Sequence, residues 1–133
     1  MAEYIAERVV RLMTQKRIHV VGAKILVMGL AFKENCPDIR NTKVMDLVNL
    51  LGSYHAQVDV LDPWVDPAEA KEVYDIELIN SPHDGDYDAV VLAVSHDEFR
   101  KLGLDRIKDF GKPVSILFDI KHVFELDEVS GRL

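Results

Sequence analysis

Three short apolar runs, separated by segments of helical periodicity, constrain the fold of this chain more than any other feature. The runs span residues 24–30, 88–94 and 114–118. Runs of this length, rich in Val, Ile and Leu, are typical of strands buried on both faces of a sheet. Residues 57–61 alternate apolar and polar side chains, which indicates a strand nearer an edge, and residues 76–79 form a weaker candidate strand.

Apolar residues recur at helical spacing before and between these runs. The first stretch, residues 4–16, has an acidic start and a basic end, as a helix dipole favours. An apolar stripe from Val44 to Leu51 predicts a helix that stops at Gly52, and shorter helices are expected over 66–73 and 104–110. Alternating strands and helices imply right-handed crossovers. The predicted fold is therefore a Rossmann-like three-layer α/β/α arrangement with a mainly parallel sheet, preceded by an N-terminal helix.

Length, charge and cysteine content narrow the class of protein. A chain of 133 residues is expected to form one domain, and its net charge of −7 argues against nucleic-acid and anionic-lipid partners, which require a basic surface. No apolar run approaches the roughly 18 to 20 residues that span a bilayer, and residues 1–8 do not resemble a secretory signal. The single cysteine, Cys36, cannot form an internal disulfide. A soluble cytoplasmic protein is expected.

A long connection after the first strand, residues 31–42, carries the cations that an acidic protein needs beside an anionic ligand. Lys33 and Arg40 are those cations, and Asn41 or Thr42 can cap the helix that follows. The alternative is that Arg40 pairs with Asp38 or Glu34 and only holds the loop together.

Parallel sheets bind ligands beyond the carboxyl ends of their strands, where the strand order reverses. With the first strand central and an order of 3-2-1-4-5, that point lies between the loop after Leu30 and the loop after Val94. Lys33, Asp62, His96 and Lys121 each follow a predicted strand, so we expect all four at this edge.

The remaining motifs limit the chemistry. Gly29 lacks the glycines at plus two and plus five of a dinucleotide-binding loop, so a nucleotide here must be held chiefly by side chains or belong partly to another domain. The five histidines have no paired metal-ligand spacing, and no metal site is predicted. The Ser95-His96-Asp97 stretch is expected to cap the next helix, although His96 also lies at the ligand edge. Trp64 is interpreted as a packing or interface residue.

Residues 29–42 resemble a family signature, GLAFK-x-N-x-x-D-x-R, of the UDP-glucose/GDP-mannose dehydrogenases, at the start of their C-terminal domain. Residues 60–63 are similar to the "YDP" that ends the second strand, and residues 89–94 and 118–121 also match the pattern. The resemblance covers about residues 2–133. The details FKENCPD-x-RNTKV and DPWVDP are similar to the branch that oxidises UDP-N-acetyl-hexosamines for bacterial surface polysaccharides.

The resemblance implies roles for four residues. Phe32 and Lys33 match positions that hold the nucleotide-sugar, and Arg40 matches one that reaches NAD bound by the N-terminal domain. Lys121 occupies a substrate-contacting position where many relatives have arginine, and lysine offers a point charge in place of a bidentate fork. The implied domain division is residues 1–22 as a helix and linker from the preceding central domain and residues 23–133 as the UDP-sugar-binding C-terminal domain.

The resemblance also implies the reaction, which is the four-electron oxidation of a sugar C6 alcohol to a carboxylate by two NAD in turn. The catalytic cysteine of that reaction lies in a G-x-C-x-P-K-D motif of the central domain, and the glycine loop for NAD lies in the N-terminal domain. Neither occurs in this sequence, and Cys36 does not match the nucleophile. We therefore expect no catalytic residue here, an inactive isolated chain, the missing domains as partners, and a homodimer of the full-length enzyme.

Two other classes of function fit the residues alone. One is a free-standing nucleotide-binding or regulatory module without catalysis, and the other is a purely structural assembly domain. Sequence upstream of Met1 that contains a glycine-rich strand-turn-helix and the missing cysteine motif would separate the dehydrogenase interpretation from both.

Overall fold

All five strands of the sheet run parallel, in the order β2-β1-β3-β4-β5. The computed structural model describes residues 1–133. The strands are β1 Lys24–Met28, β2 Gln57–Leu61, β3 Tyr87–Leu92, β4 Gly111–Asp119 and β5 Gly131–Arg132. The helices are α1 Ala2–Gln15, α2 Val44–Ser53, α3 Pro67–Tyr74 and α4 Asp97–Asp109, with a 3-10 turn at Leu126–Glu128. None of these helices has the length and apolarity needed to cross a membrane.

The central strand β1 is buried on both faces, as its apolar run predicts. Ile25 and Val27 belong to the larger core, which also contains residues of α1 and α2. Leu26 and Met28 belong to a second core that contains residues of α4. Because successive side chains of a strand point to opposite faces, the helices cover both sides of the sheet. The predicted three-layer α/β/α fold is confirmed.

Helix α1 packs on the larger core. Its residues Ile5, Ala6, Val9 and Met13 are each at most 5% exposed. These positions recur at helical spacing, so one face of the helix is apolar and is buried. The predicted N-terminal helix is confirmed, whereas the assignment of residues 1–22 to a preceding central domain stays a prediction.

Two strand assignments from the sequence differ from the structure. Residues 76–79 form no strand, although Ile79 N–H donates to Val60 O at 3.0 Å beside β2. One such bond does not continue a ladder, so β2 is the edge of the sheet. Strand β5 was not predicted, because its two residues are too few to show a periodic pattern. Without the strand at 76–79, the remaining order agrees with the one expected.

The helix boundaries also differ from those predicted, in α1 and α3 by one or two residues and in α2 and α4 as follows. Helix α2 continues through Gly52 to Ser53, because glycine in a last turn weakens a helix without ending it. Helix α4 starts at Asp97, seven residues before the predicted start at Leu104. Gly103 interrupts it with φ of 82° and ψ of 165°. Because this break interrupts the helical spacing of the apolar residues, the sequence predicts only the second half of α4.

Candidate functional site

The carboxyl edge of the sheet gathers the segments that follow β1, β2, β3 and β4. The parallel register places the ends of these strands side by side, with Met28 opposite both Leu61 and Leu92, and Leu92 opposite Asp119. The chain moves from β1 to β2 on one side and then to β3 on the other, so the order reverses between β1 and β3. Lys33, Asp62, His96 and Lys121 follow these four strands, as expected, and the ligand-binding position for such a sheet lies here.

Gly29 allows two of these segments to approach each other. It has φ of 105°, and a Cβ atom built on it would lie 2.5 Å from Val94 Cβ and 2.8 Å from Val94 N. Val94 N–H in turn donates to Met28 O at 3.2 Å. Glycine at position 29 therefore serves close packing of the loops after β1 and β3.

The buried carboxylate of Asp62 is the centre of a hydrogen-bond network. Its Oδ2 accepts from Leu30 N–H at 2.7 Å and from Ala31 N–H at 2.9 Å, and it bonds His96 Nε2 at 3.0 Å. Its Oδ1 accepts from Trp64 N–H at 2.8 Å. Burial raises the pKa of Asp62, but these four hydrogen bonds outweigh burial and lower that pKa below its ordinary value of 3.8.

His96 uses both of its ring nitrogens, and its side chain is fully buried. Nδ1 accepts from Asn35 N–H at 2.9 Å, so the ring proton is on Nε2, which donates to Asp62. The Ser-His-Asp stretch lies at the start of α4 as expected, with His96 as the N-cap residue, although the His96 side chain makes no capping hydrogen bond. Asn35 Oδ1 accepts the N–H of Asp97 at 3.0 Å in its place.

Trp64 covers this pair from the solvent side and is a packing residue. Its ring stacks on His96 with centroids 6.0 Å apart, and its Nε1–H donates to Glu98 Oε1 at 2.9 Å. Phe99 packs against His96 with centroids 5.4 Å apart. The histidine is thus enclosed between two aromatic rings.

Phe32 and Lys33 lie between the bonded residues and are exposed to solvent. Phe32 is 51% exposed, and its N–H donates to Asp38 O at 2.7 Å. Lys33 forms no ion pair with Glu34 or Asp38. The loop is therefore ordered by its backbone and presents an aromatic ring and a cation.

An apolar cleft of about 250 Å³ lies beside this loop. Its lining includes Phe32 and Lys121 together with Ile5 of α1 and Val94 after β3. Lys33 lies at the same edge but is not a lining residue. The structure thus brings Phe32 and Lys121 to one cleft. A larger groove of about 710 Å³ beside Lys112 and Ser130 of the β4 region contains none of the predicted site residues.

Lys121 stands on a turn that Asp119 fixes. The Asp119 side chain is buried, and its two oxygens accept from Lys121 N–H at 3.0 Å and from Phe124 N–H at 2.8 Å. The Lys121 side chain makes no hydrogen bond within the chain and is exposed. A cation held in this way at the mouth of an apolar cleft is available to an anion.

Arg40 forms an ion pair with Asp38, which is one of the two alternatives that the sequence leaves open. Its Nε lies 3.2 Å from Asp38 Oδ1 and its Nη2 lies 3.4 Å from Asp38 Oδ2. This hydrogen-bonded guanidinium lowers the pKa of Asp38. The Arg40 side chain is nevertheless 80% exposed, and Nη1 has no partner in the chain. Further along, Thr42 Oγ1 accepts from Val44 N–H at 3.0 Å, but the N-cap residue of α2 is Lys43 and not Asn41 or Thr42 as predicted.

Sequence reasoning missed Asn35, which links the loop to His96 and to α4. Its φ of 54° is left-handed, a conformation that asparagine tolerates better than most residues. An asparagine within a long loop was the available signal, but its partners lie 61 and 62 residues away in sequence.

The fold and the site define a class of protein. It is a Rossmann-like α/β domain with a parallel sheet, whose carboxyl edge has exposed lysines. The family model of the UDP-glucose/GDP-mannose dehydrogenase family, UDP binding domain, matches residues 26–126. The chain belongs to this family and is its UDP binding domain, as the sequence signature indicated.

Named relatives agree with this membership. The chain is 46% identical over 133 residues to the UDP-N-acetyl-D-glucosamine 6-dehydrogenase of Pseudomonas aeruginosa, covering all of this chain and 32% of that protein. It is 41% identical to the protein of the same name from Salmonella typhi, covering 100% and 31%. The chain thus spans about a third of the length of these relatives. An NDP-N-acetyl-D-galactosaminuronic acid dehydrogenase from Methanosarcina mazei has the same fold, with a TM-score of 0.82, 24% identity, and coverage of 96% of this chain and 26% of that chain.

Proposed function

We propose that this chain binds the UDP part of a UDP-sugar as the C-terminal domain of an NAD-dependent 6-dehydrogenase. The observation that carries the proposal is the ordered, solvent-exposed Phe32-Lys33 pair at the switch point of the sheet, beside a cleft that Lys121 also lines. An aromatic ring suits a nucleobase or sugar face, and two lysines suit a diphosphate. Family membership supports this function over a free-standing module or an assembly domain.

We propose that Phe32, Lys33 and Lys121 hold the nucleotide-sugar. The two lysines supply local positive charge in a chain whose net charge is −7, which an anionic ligand requires. Both side chains are exposed and neither is engaged in an ion pair, so they are free to bind phosphate oxygens.

Arg40 is assigned to NAD. Two of its guanidinium nitrogens are held by Asp38, which orients the group, and Nη1 remains available at the exposed surface. NAD, when bound mainly by another domain, accepts the hydride in the oxidation. This chain contributes one cation to its site and supplies no catalytic residue.

The substrate that we propose is a UDP-N-acetyl-hexosamine, oxidised at C6 to a uronate for polysaccharide biosynthesis. Sequence identities of 46% and 41% to two UDP-N-acetyl-D-glucosamine 6-dehydrogenases support this choice of sugar. We further propose that residues 1–22 connect to a central domain, that residues 23–133 form the nucleotide-sugar domain, and that the complete enzyme is a cytoplasmic homodimer. The single half-buried cysteine, Cys36, agrees with a reducing compartment.

Calorimetric titration of the 133-residue chain with UDP, UDP-N-acetylglucosamine, uridine and NAD tests the proposal. We expect UDP and the UDP-sugar to bind at least about tenfold more tightly than uridine, because charge-assisted hydrogen bonds to phosphate are stronger than neutral ones. NAD should bind more weakly than UDP, and no NAD should be reduced. Equal affinity for UDP and uridine, or turnover by the pure chain, would contradict the assignment.

A further inference from the structure

The loop that carries Phe32 and Lys33 is fixed at both of its ends by one buried unit, the hydrogen-bonded side chains of Asp62 and His96. At its start, the N–H groups of Leu30 and Ala31 donate to Asp62 Oδ2 at 2.7 and 2.9 Å. At its end, Asn35 N–H donates to Nδ1 of His96 at 2.9 Å. The His96 ring closes the unit by donating from Nε2 to the same Asp62 oxygen. Phe32 and Lys33 therefore lie on a short loop segment whose two ends are hydrogen-bonded to side chains that are also bonded to each other.

Packing alone does not require a buried pair of ionisable, hydrogen-bonded side chains at this position. Both side chains are fully buried, and taking an ionisable pair out of water costs free energy that an apolar pair of similar volume avoids. Each polar atom has a defined partner, and no buried side-chain nitrogen or oxygen is left without one. Such fully satisfied networks favour one conformation over its alternatives.

We propose that His96 and Asp62 are positioning residues that hold the loop of residues 30–35 in the shape that places Phe32 and Lys33 on the nucleotide. This inference rests on the function proposed above. His96 is the decisive member, because its Nδ1 is the acceptor that holds the end of the loop at Asn35. Neither residue is expected to contact the ligand, since neither side chain is exposed.

Two substitutions of His96 separate its two hydrogen bonds. His96→Asn puts an amide oxygen near the place of Nδ1, so it retains an acceptor for Asn35 N–H and loses the bond to Asp62. His96→Gln puts an amide nitrogen near the place of Nε2, so it retains the donor to Asp62 and loses the acceptor for the loop. Tyr87→Phe is the matched control, since it removes a buried hydroxyl that donates to Asp59 at 2.6 Å at the amino end of β3.

The experiment measures amide hydrogen exchange of Asn35 and the affinity for UDP in the unaltered 133-residue chain and the three variants. In His96→Gln we expect exchange at Asn35 to be about tenfold faster and UDP binding about tenfold weaker, as the loss of one hydrogen bond predicts. His96→Asn should bind UDP within about threefold of the unaltered chain, although both variants lower the melting temperature. Tyr87→Phe should lower the melting temperature and leave UDP affinity unchanged.

Equal weakening of UDP binding in the Asn and Gln variants would show a purely structural histidine and overturn the proposal. So would a Gln variant that binds UDP as tightly as the unaltered chain. Absence of UDP binding by the unaltered chain would contradict the proposed function, and exchange at Asn35 would then still decide whether His96 fixes the loop. If the variants do not fold, the ring nitrogens of His96 in the unaltered chain provide the test. Saturating UDP should shift their NMR resonances, and unchanged resonances would refute the coupling.

Discussion

At the scale of single residues, the hydrogen-bond partners of Asp62 in other segments could not be predicted, because they lie far from it along the chain. Its place directly after a strand was predictable, because residues 57–61 alternate in the manner of a strand. Its partners were not, since Leu30 and His96 lie 32 and 34 residues away along the chain. Only the adjacency of β2, β1 and β3 brings the three segments together. His96 does begin α4 as its sequence position indicates, but its burial cannot be predicted from its neighbours in sequence.

Asp62→Asn should destabilise the chain in a pH-dependent way. The amide keeps one acceptor but opposes a donor to the N–H groups that the carboxylate binds, which should cost about 1–3 kcal/mol near neutral pH. The folded-state pKa of Asp62 is lowered. The stability that its charge contributes is therefore complete above its unfolded pKa of about 3.9 and is lost as the pH falls through the folded-state value.

Urea unfolding of the chain and the Asp62→Asn variant across this range checks the prediction. The difference between their free energies of unfolding should be constant from neutral pH down to about 5 and should narrow below about 4. A difference that stays constant through the acid range would mean that the charge of Asp62 contributes nothing.

At the scale of elements, burial on both faces made the central strands easy to recognise. Strands β1 and β3 appear in the sequence as continuous apolar runs. The order assumed around them, with the first strand central, agrees with the structure once the strand at 76–79 is removed. The strand predictions are wrong where the local sequence pattern and the tertiary contacts disagree. Residues 76–79 are apolar enough for a strand but make only one backbone bond to β2. Strand β5 consists of two residues whose pairing to β4 depends on the tertiary structure.

Gly29→Ala tests the close approach of the loops after β1 and β3. Its Cβ would overlap Val94 at 2.5 Å, and its φ of 105° is strained for any other residue. We expect a loss of about 3 kcal/mol or more, since both overpacking and a strained backbone contribute. Gly52→Ala is the matched control. It has nothing within 4 Å and lies in α2, so it should be neutral or stabilising by up to about 1 kcal/mol. Similar unfolding free energies for the two variants would contradict this account.

At the scale of the whole molecule, several cations follow the strands at one edge of an acidic body, together with the carboxylates of Glu34, Asp38, Asp62 and Asp119. Lys33, Arg40, Lys43 and Lys121 all follow β1 or β4 at the carboxyl edge, whereas the net charge of the chain is −7. The fold and this edge were predictable from pattern and spacing. The roles of individual residues came from the resemblance to a family signature, because physical spacing alone left Arg40 open between a loop contact and a ligand contact.

The central claim is that Lys33 binds the nucleotide and does not support the fold. Lys33 is exposed and has no ion pair, so Lys33→Ala should change the free energy of unfolding by no more than about 0.5 kcal/mol. The same substitution should weaken UDP binding about tenfold or more, because it removes a charged contact to phosphate. Lys108→Ala, at an exposed lysine in the last turn of α4, is the control and should alter neither quantity.

Calorimetric titration of UDP, paired with thermal unfolding of the same samples, is the measurement that decides. The account predicts a large loss of UDP affinity in Lys33→Ala with a melting temperature close to that of the unaltered chain. UDP affinity in Lys33→Ala equal to that of Lys108→Ala would contradict it, whatever happens to stability.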